Sequence, residues 1–228
     1  MSPARPAFSN NKMRIPKILI GLPSTEGIRH AQCIDYFDNM IKPKGSIIMR
    51  LHLQSPAQAR NMMIDRALAE NCSHVFFLDD DICVMPDTLL RLYDHDLPAV
   101  GGLYCSRQYP HRPFIFEETE GEEVKYIDIA GKEEKLLQVA ATGLGCFLIS
   151  TWPLRFMEKP WVRLGEIEKD GWCDDIGFFN RLRKQRVRIY VDLGTSVGHV
   201  ASTIVQPFKT DAGWKTGYRT YSNDVVLV

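Results

Sequence analysis

Asp79, Asp80 and Asp81 stand in succession directly after the apolar run Val75-Phe76-Phe77-Leu78. Adjacent carboxylates are hard oxygen donors, suited to a divalent cation that keeps part of its shell as water or phosphate oxygen. A second pair of acids, Asp174-Asp175, precedes a helical pattern carrying Ile176, Phe179 and Leu182. Acids so placed serve as a helix cap or as a proton acceptor, and the pair taken alone favours the cap. The triplet also has a plainer reading, a turn ahead of Pro86, for which one or two acids would suffice. His199 by itself reads as a structural or surface histidine.

The element that must position the triplet adjoins it. Four bulky residues, β-branched and aromatic members among them, ended by charge, predict a strand buried on both faces and hence a central strand of a largely parallel sheet. The acids then lie at its carboxyl end, where open α/β sheets bind ligands. Strand and helix signals alternate around it. Lys17 to Leu22 is a first strand, followed by the loop Pro23-Ser24-Thr25-Glu26-Gly27 and a helix carrying Ile34, Phe37 and Ile41. Ile47 to Leu51 is a second strand. Ser55-Pro56-Ala57-Gln58 then combines a capping Ser, Pro at the first helical position and Gln at the third. Ala59, Met62, Met63 and Ala67 carry that helix on to Asn71, and Pro86-Asp87 opens another through Leu89, Leu92 and Tyr93 before a strand at Ala99 to Gly102. This order predicts a parallel sheet with right-handed crossovers.

The second half is less regular. Phe114 to Phe116 and Val124 to Ile127 flank the acidic stretch Glu117 to Glu123 and read as a hairpin with a solvated tip. Leu136 to Ala140 and Cys146 to Ile149 are two strands joined through Thr142-Gly143-Leu144-Gly145, a connection with two flexible positions. Arg188 to Val191 is a further strand. The tail after His199 holds Phe208, Lys209, Trp214, Lys215, Tyr218 and Arg219 without clear periodicity.

Bulk properties bound the function without choosing it. The 228 residues form one expected domain, with 1–14 a polar extension and 201–228 a tail that could close as a lid. Lys plus Arg and Asp plus Glu balance at 28 each, so no overall field draws the chain to nucleic acid or an anionic membrane. Six scattered cysteines without metal-like spacing read as reduced, mostly buried thiols. No apolar run reaches the roughly 18 residues of a membrane span, and a cytoplasmic location is the expectation.

A buried strand ending in Asp79-Asp80-Asp81, a Gly143-Leu144-Gly145 loop before a strand, a paired acid Asp174-Asp175 opening a helix and a later His199 together resemble the GT-A glycosyltransferases, the family 2 type above all. Arg60-Asn61 in the second helix is a further similarity. The likeness covers about Lys17 to Val200, and its strength lies in the order of motifs. The chain departs from it with Asp174 where many relatives carry Glu, and with Phe178-Phe179-Asn180-Arg181 where an arginine-rich sequence is usual.

The resemblance implies a single α/β GT-A domain, with 15–105 a nucleotide-binding half and 106–200 an acceptor-binding half, that moves a sugar from a nucleotide-sugar donor, expected to be a UDP-sugar, to a hydroxyl acceptor. It implies Mn²⁺ or Mg²⁺ as cofactor, since a divalent cation stabilises the charge growing on the leaving diphosphate. Asp81 and His199 are the implied metal ligands, with Asp79 at the ribose or the metal through water and Asp80 in either role. Asp175 is the implied general base, with Asp174 as alternate, and single displacement predicts inversion. Pro23, Ser24 and Glu26 are expected beside the base, and Arg60, Gly143 and Gly145 beside the donor. A sugar-phosphate nucleotidyltransferase is the rival enzyme, but Gly21 to Gly27 lacks the basic residues of its phosphate loop. A silent nucleotide-sugar-binding module is the rival from another class. The acceptor stays open among glycan, lipid, protein, small molecule and modified nucleobase.

Overall fold

The protein is described by a computed structural model over residues 16–24, 30–52, 55–107, 111–119, 124–132, 135–163, 174–201, 203–210, 213–220 and 225–227, with backbone alone for Asp174 and 203–227. The first half runs β1 (Ile18–Ser24), α1 (Ala31–Asn39), β2 (Ile47–His52), α2 (Pro56–Ala69), β3 (His74–Leu78), β4 (Ile82–Cys83), α3 (Thr88–Asp94) and β5 (Ala99–Leu103). The second runs β6 (Ile115–Glu118), β7 (Val124–Tyr126), β8 (Leu136–Val139), β9 (Ala141–Thr142), β10 (Cys146–Ser150), α4 (Thr151–Leu154), α5 (Asp174–Lys184), β11 (Ile189–Ser196) and β12 (Gly198–His199). Three tail strands follow, β13 (Thr203–Thr210), β14 (Gly213–Thr220) and β15 (Val225–Leu227).

A seven-stranded sheet of order β2-β1-β3-β10-β5-β11-β8 forms the centre. β2, β1, β3, β5 and β11 run one way, and β10 and β8 run against them. The sheet is therefore mostly parallel, as expected, but β3 and β5 are not neighbours. β10 enters between them from the second half, because its run Cys146-Phe147-Leu148-Ile149 is apolar on both faces and, like β3, belongs where both faces are covered. Alternate residues of β3 divide between two cores. Val75 and Phe77 pack with Met63 and Ala67 of α2 and Phe178, Phe179 and Leu182 of α5. Phe76 and Leu78 pack with Phe37 of α1 and Leu89 and Leu92 of α3. Helices thus cover each face, and β3 is buried throughout except at His74.

Local signals fared unevenly. Ser55 Oγ accepts a hydrogen bond from the Gln58 N–H at 3.2 Å, and Asn71 takes the left-handed conformation (φ 52°) just past α2. On α1 the buried stripe is Cys33, Phe37 and Met40, whereas Ile34 and Ile41 are exposed. Both sets have helical spacing and share Phe37, so periodicity could not separate them. Met62 of α2 is likewise exposed. The hairpin of β6 and β7 forms, with its tip at 120–123 outside the described residues. β8 and β10 lie apart, since β8 pairs with β11 at the sheet edge and β9 between them pairs with β6. The tail is a three-stranded antiparallel sheet where no strand was expected. Cys33, Cys72, Cys83, Cys105 and Cys146 form no disulfide, with the Cys33 and Cys83 sulfurs 3.2 Å apart, and Cys173 lies outside the described residues. No described helix is long and apolar enough to cross a membrane.

The register of β11 shifts between Asp192 and Ser196, and Asp192 holds that irregularity together. Its buried carboxylate accepts from Thr195 Oγ1 (2.7 Å), the Gly194 N–H (2.8 Å) and His95 Nε2 (3.0 Å) at the end of α3. Burial alone would raise its pKa, but the Thr195, His95 and Gly194 bonds override that and hold it below the usual carboxylate range. A depressed folded value adds stability above the unfolded value of about 4, and that stability is lost as pH falls through the folded value. Melting curves from pH 7 to 3 should show wild type more stable than Asp192→Asn at neutral pH, with the gap closing below about pH 4. A gap constant across that range would contradict the assignment.

Candidate functional site

The carboxyl ends of β3 and β5, the start of β10 and the first turns of α2 and α5 meet at one edge of the sheet. The deepest group there is Arg60 of α2, whose side chain is 5% exposed. Its Nη2 donates to both oxygens of Asp79, at 2.9 and 3.0 Å, and its Nη1 donates to Asp175 Oδ1 at 3.1 Å. Asp175 Oδ2 accepts the Leu144 N–H at 3.1 Å, and the Asp79 N–H donates to the Gly145 carbonyl at 2.9 Å. One guanidinium thus ties the end of β3 and the start of α5 to α2. Burial opposes its charge, but Asp79 and Asp175 more than compensate and raise the Arg60 pKa further above its already high value. Burial pushes the Asp79 carboxyl up, with Asp81 and Asp175 adding to it, while the Arg60 fork opposes the shift. The net effect raises the Asp79 pKa, and both of its oxygens accept charge-assisted bonds from Arg60.

Tyr104, just past β5, lies under this cluster. Its Oη accepts the Gly145 N–H at 3.2 Å, and burial, then Asp175 and Asp79, raise its pKa well above the ordinary phenol value. The glycines serve closeness here and not flexibility, since neither has a left-handed φ. A Cβ on Gly143 would fall 1.8 Å from Tyr104 Oη, and one on Gly145 would fall 3.1 Å from it and 3.2 Å from Asp79 Oδ2.

Asp81 and His199 form a second, shallower group, aligned by the antiparallel pairing of Ile82 with His199 in β4 and β12. The Val200 N–H donates to the Asp81 carbonyl at 2.8 Å and closes this ribbon. His199 Nδ1 lies 2.7 Å from the Cys105 carbonyl, which only accepts, so Nδ1 carries a proton. In the neutral ring Nε2 then bears its lone pair toward Asp81 Oδ2, 3.3 Å away. Two acceptors facing one another need a proton or a cation between them. Adjacent ligands of a Mn²⁺ or Mg²⁺ ion with bonds near 2.1 Å stand about 3 Å apart, so this spacing suits such an ion. Burial opposes the Asp81 charge, but His199 and Arg107 hold its carboxyl below the usual range. Arg107 Nη1 is 2.9 Å from Asp81 Oδ2.

Among the described residues no three His, Cys, Asp or Glu side chains gather as a metal site, so an ion here would take its remaining ligands from substrate and water. Of the expected residues, Arg60, Asp79, Asp175, Gly143 and Gly145 meet in the deep cluster, and Asp81 and His199 in the shallow one. Asp80 is half-buried in the turn between β3 and β4. Pro23 and Ser24 end β1 beside Leu51 and His52 of β2, and the buried Ser24 Oγ has no hydrogen-bond partner among the described residues. Asp174 opens α5, and Glu26 lies outside the described residues. Tyr104 and Arg107 were not foreseen. The carboxyl-edge rule applied to the triplet would have reached them, because both follow the strand expected at Ala99 to Gly102.

No protein-family model matches the chain, and no curated protein matches it in sequence. Solved structures do. A197 from STIV superimposes with a TM-score of 0.58 at 18% identity, over 92% of this chain and 93% of that one. GalNAc-T7, solved with UDP, GalNAc and Mn²⁺, superimposes at 0.56 and 10% identity, over 82% of this chain and 44% of that one. The chain therefore has a GT-A-like fold, and it spans less than half the length of GalNAc-T7.

Two measurements probe the deep cluster. Arg60→Met leaves two carboxylates without their cation and should destabilise the fold by about 3 kcal/mol, the lower end of the range for a broken buried pair because Asp79 is 30% exposed. An unchanged urea midpoint would contradict this. Gly143→Ala should cost about 1–3 kcal/mol by overpacking, and less in a Tyr104→Phe background, where the nearest atom is gone. An equal cost in both backgrounds would show that Tyr104 is not the obstacle.

Proposed function

We propose that the chain is a metal-dependent glycosyltransferase that moves a sugar from a nucleotide-sugar donor, a UDP-sugar foremost, to a hydroxyl acceptor with inversion. The observation that carries this is the facing pair Asp81 Oδ2 and His199 Nε2, beside the Arg60-locked carboxylates at the ligand-binding edge of the sheet. The GT-A-like fold supports it, as does the UDP and Mn²⁺ in GalNAc-T7.

Asp81 and His199 would hold Mn²⁺ or Mg²⁺, which when bound supplies positive charge to the leaving diphosphate. His199 is oriented for this by the Cys105 carbonyl, the outer partner that fixes the tautomer of a metal-binding imidazole. Asp79 is held by Arg60 through both oxygens, so its role is to fix the strand end and offer remaining lone pairs to ribose or a metal-bound water. Asp80 takes either role from the turn. Pro23, Ser24 and Glu26 would line the base pocket, where the unpartnered Ser24 hydroxyl offers a hydrogen bond. The Gly143 to Gly145 backbone faces the donor sugar.

Asp175 would accept the acceptor's proton, with Asp174 as alternate. Arg60 and the Leu144 N–H each hold one oxygen of Asp175 and so fix the orientation of its carboxylate. The proton moves as the glycosidic bond breaks, when the attacking oxygen is most acidic.

A panel of nucleotide sugars with Mn²⁺ should identify one donor by release of its nucleoside diphosphate. Asp81→Ala should abolish Mn²⁺-dependent binding of that diphosphate by calorimetry, and unchanged affinity would remove Asp81 from the metal. Asp175→Asn should keep donor binding while transfer falls by about 10²–10⁴-fold. Normal turnover in that variant would remove Asp175 as base.

A further inference from the structure

Arg107 shares one carboxylate oxygen with His199. Its Nη1 lies 2.9 Å from Asp81 Oδ2, the atom that His199 Nε2 faces at 3.3 Å. The side chain is 60% exposed and projects from the segment after β5, two residues beyond the Cys105 carbonyl that orients His199. An ion pair this exposed is held weakly, because water solvates both charges and ordering a long side chain costs entropy. A divalent cation on Asp81 and His199 would also repel a guanidinium on the same oxygen. Released from Asp81, Arg107 stands beside the place where the donor's diphosphate would meet the metal. Its planar fork suits phosphate oxygens, to which it can donate two parallel hydrogen bonds.

We propose that Arg107 is a diphosphate-contacting residue that exchanges partners, from Asp81 in the metal-free site to the donor's phosphates when metal and nucleotide are bound. The assignment rests on the glycosyltransferase reading of the same site. In the transfer step the bond between the anomeric carbon and the β-phosphate oxygen breaks and its electron pair stays on that oxygen. The acceptor oxygen bonds the anomeric carbon, and its proton passes to Asp175. Arg107 donates hydrogen bonds to the phosphate on which the charge collects.

The exchange predicts effects of opposite sign from one substitution. Arg107→Ala removes a competitor for Asp81, so Mn²⁺ alone, titrated by loss of the free-ion electron paramagnetic resonance signal, should bind several-fold more tightly. In saturating Mn²⁺, the tightest-binding of UDP, GDP, ADP and CDP should bind about 10-fold or more weakly by calorimetry, the loss expected for a charge-assisted phosphate contact. Arg107→Lys should restore part of the nucleotide affinity, because it keeps the charge but not the fork. Mn²⁺ binding that weakens in Arg107→Ala, or nucleotide affinity that does not change, would overturn the exchange while leaving the functional reading intact. Wild-type protein that binds neither Mn²⁺ nor any of the four nucleotides would overturn both.

Discussion

The site depends on one buried guanidinium. Arg60 reaches the edge of the sheet from α2 and meets Asp79 at the end of β3 and Asp175 at the start of α5. Removing an arginine from water is costly, and here the cost is offset by two carboxylates in good geometry. The cation is also what allows those carboxylates to lie close together, since without it their like charges would repel. The two halves of the chain are joined at the point where the chemistry is proposed.

Around this anchor the groups differ in depth. Arg60, Asp79, Asp175 and Tyr104 are fixed by bonds to one another and to the Leu144-Gly145 backbone, in a space so close that glycine is required at position 143. Asp81, His199 and Arg107 lie farther out on a two-residue ribbon and the end of β5, with partners that a cation could displace. A rigid base carrying an exchangeable outer group suits a reaction in which metal, donor and product must come and go. β3 gives the rigid base its footing, because its residues fill both cores at once.

Much of this was legible in the sequence, for physical reasons that differ by element. β3 declared itself because burial on both faces demands an unbroken apolar run, and its acids had to follow at the carboxyl edge. The start of α2 was legible because Ser55 and Pro56 act locally. The place of β10 was not, since its apolar run reads as a central strand but nothing in it names its neighbours. The buried face of α1 was ambiguous because two stripes shared Phe37. Arg60 was noticed by likeness, yet its partners lie 19 and 115 residues away, and such pairing has no local signature. The glycines at 143 and 145 read as flexible positions because the side chain that crowds them, Tyr104, comes from a distant strand. The tail strands escaped because Thr203 to Thr220 mixes polar, aromatic and glycine residues without a sustained apolar alternation.

In the proposed reaction His199 and Asp81 share a divalent cation with a nucleoside diphosphate. Electron–nuclear double resonance on Mn²⁺ bound to protein carrying ¹⁵N-histidine, in the presence of UDP, reads the coordination directly. The expected spectrum has a nitrogen coupling from one imidazole that disappears in His199→Ala, together with phosphorus coupling from the diphosphate. Bound Mn²⁺ with phosphorus coupling but no histidine coupling, or the same histidine coupling in His199→Ala, would contradict it.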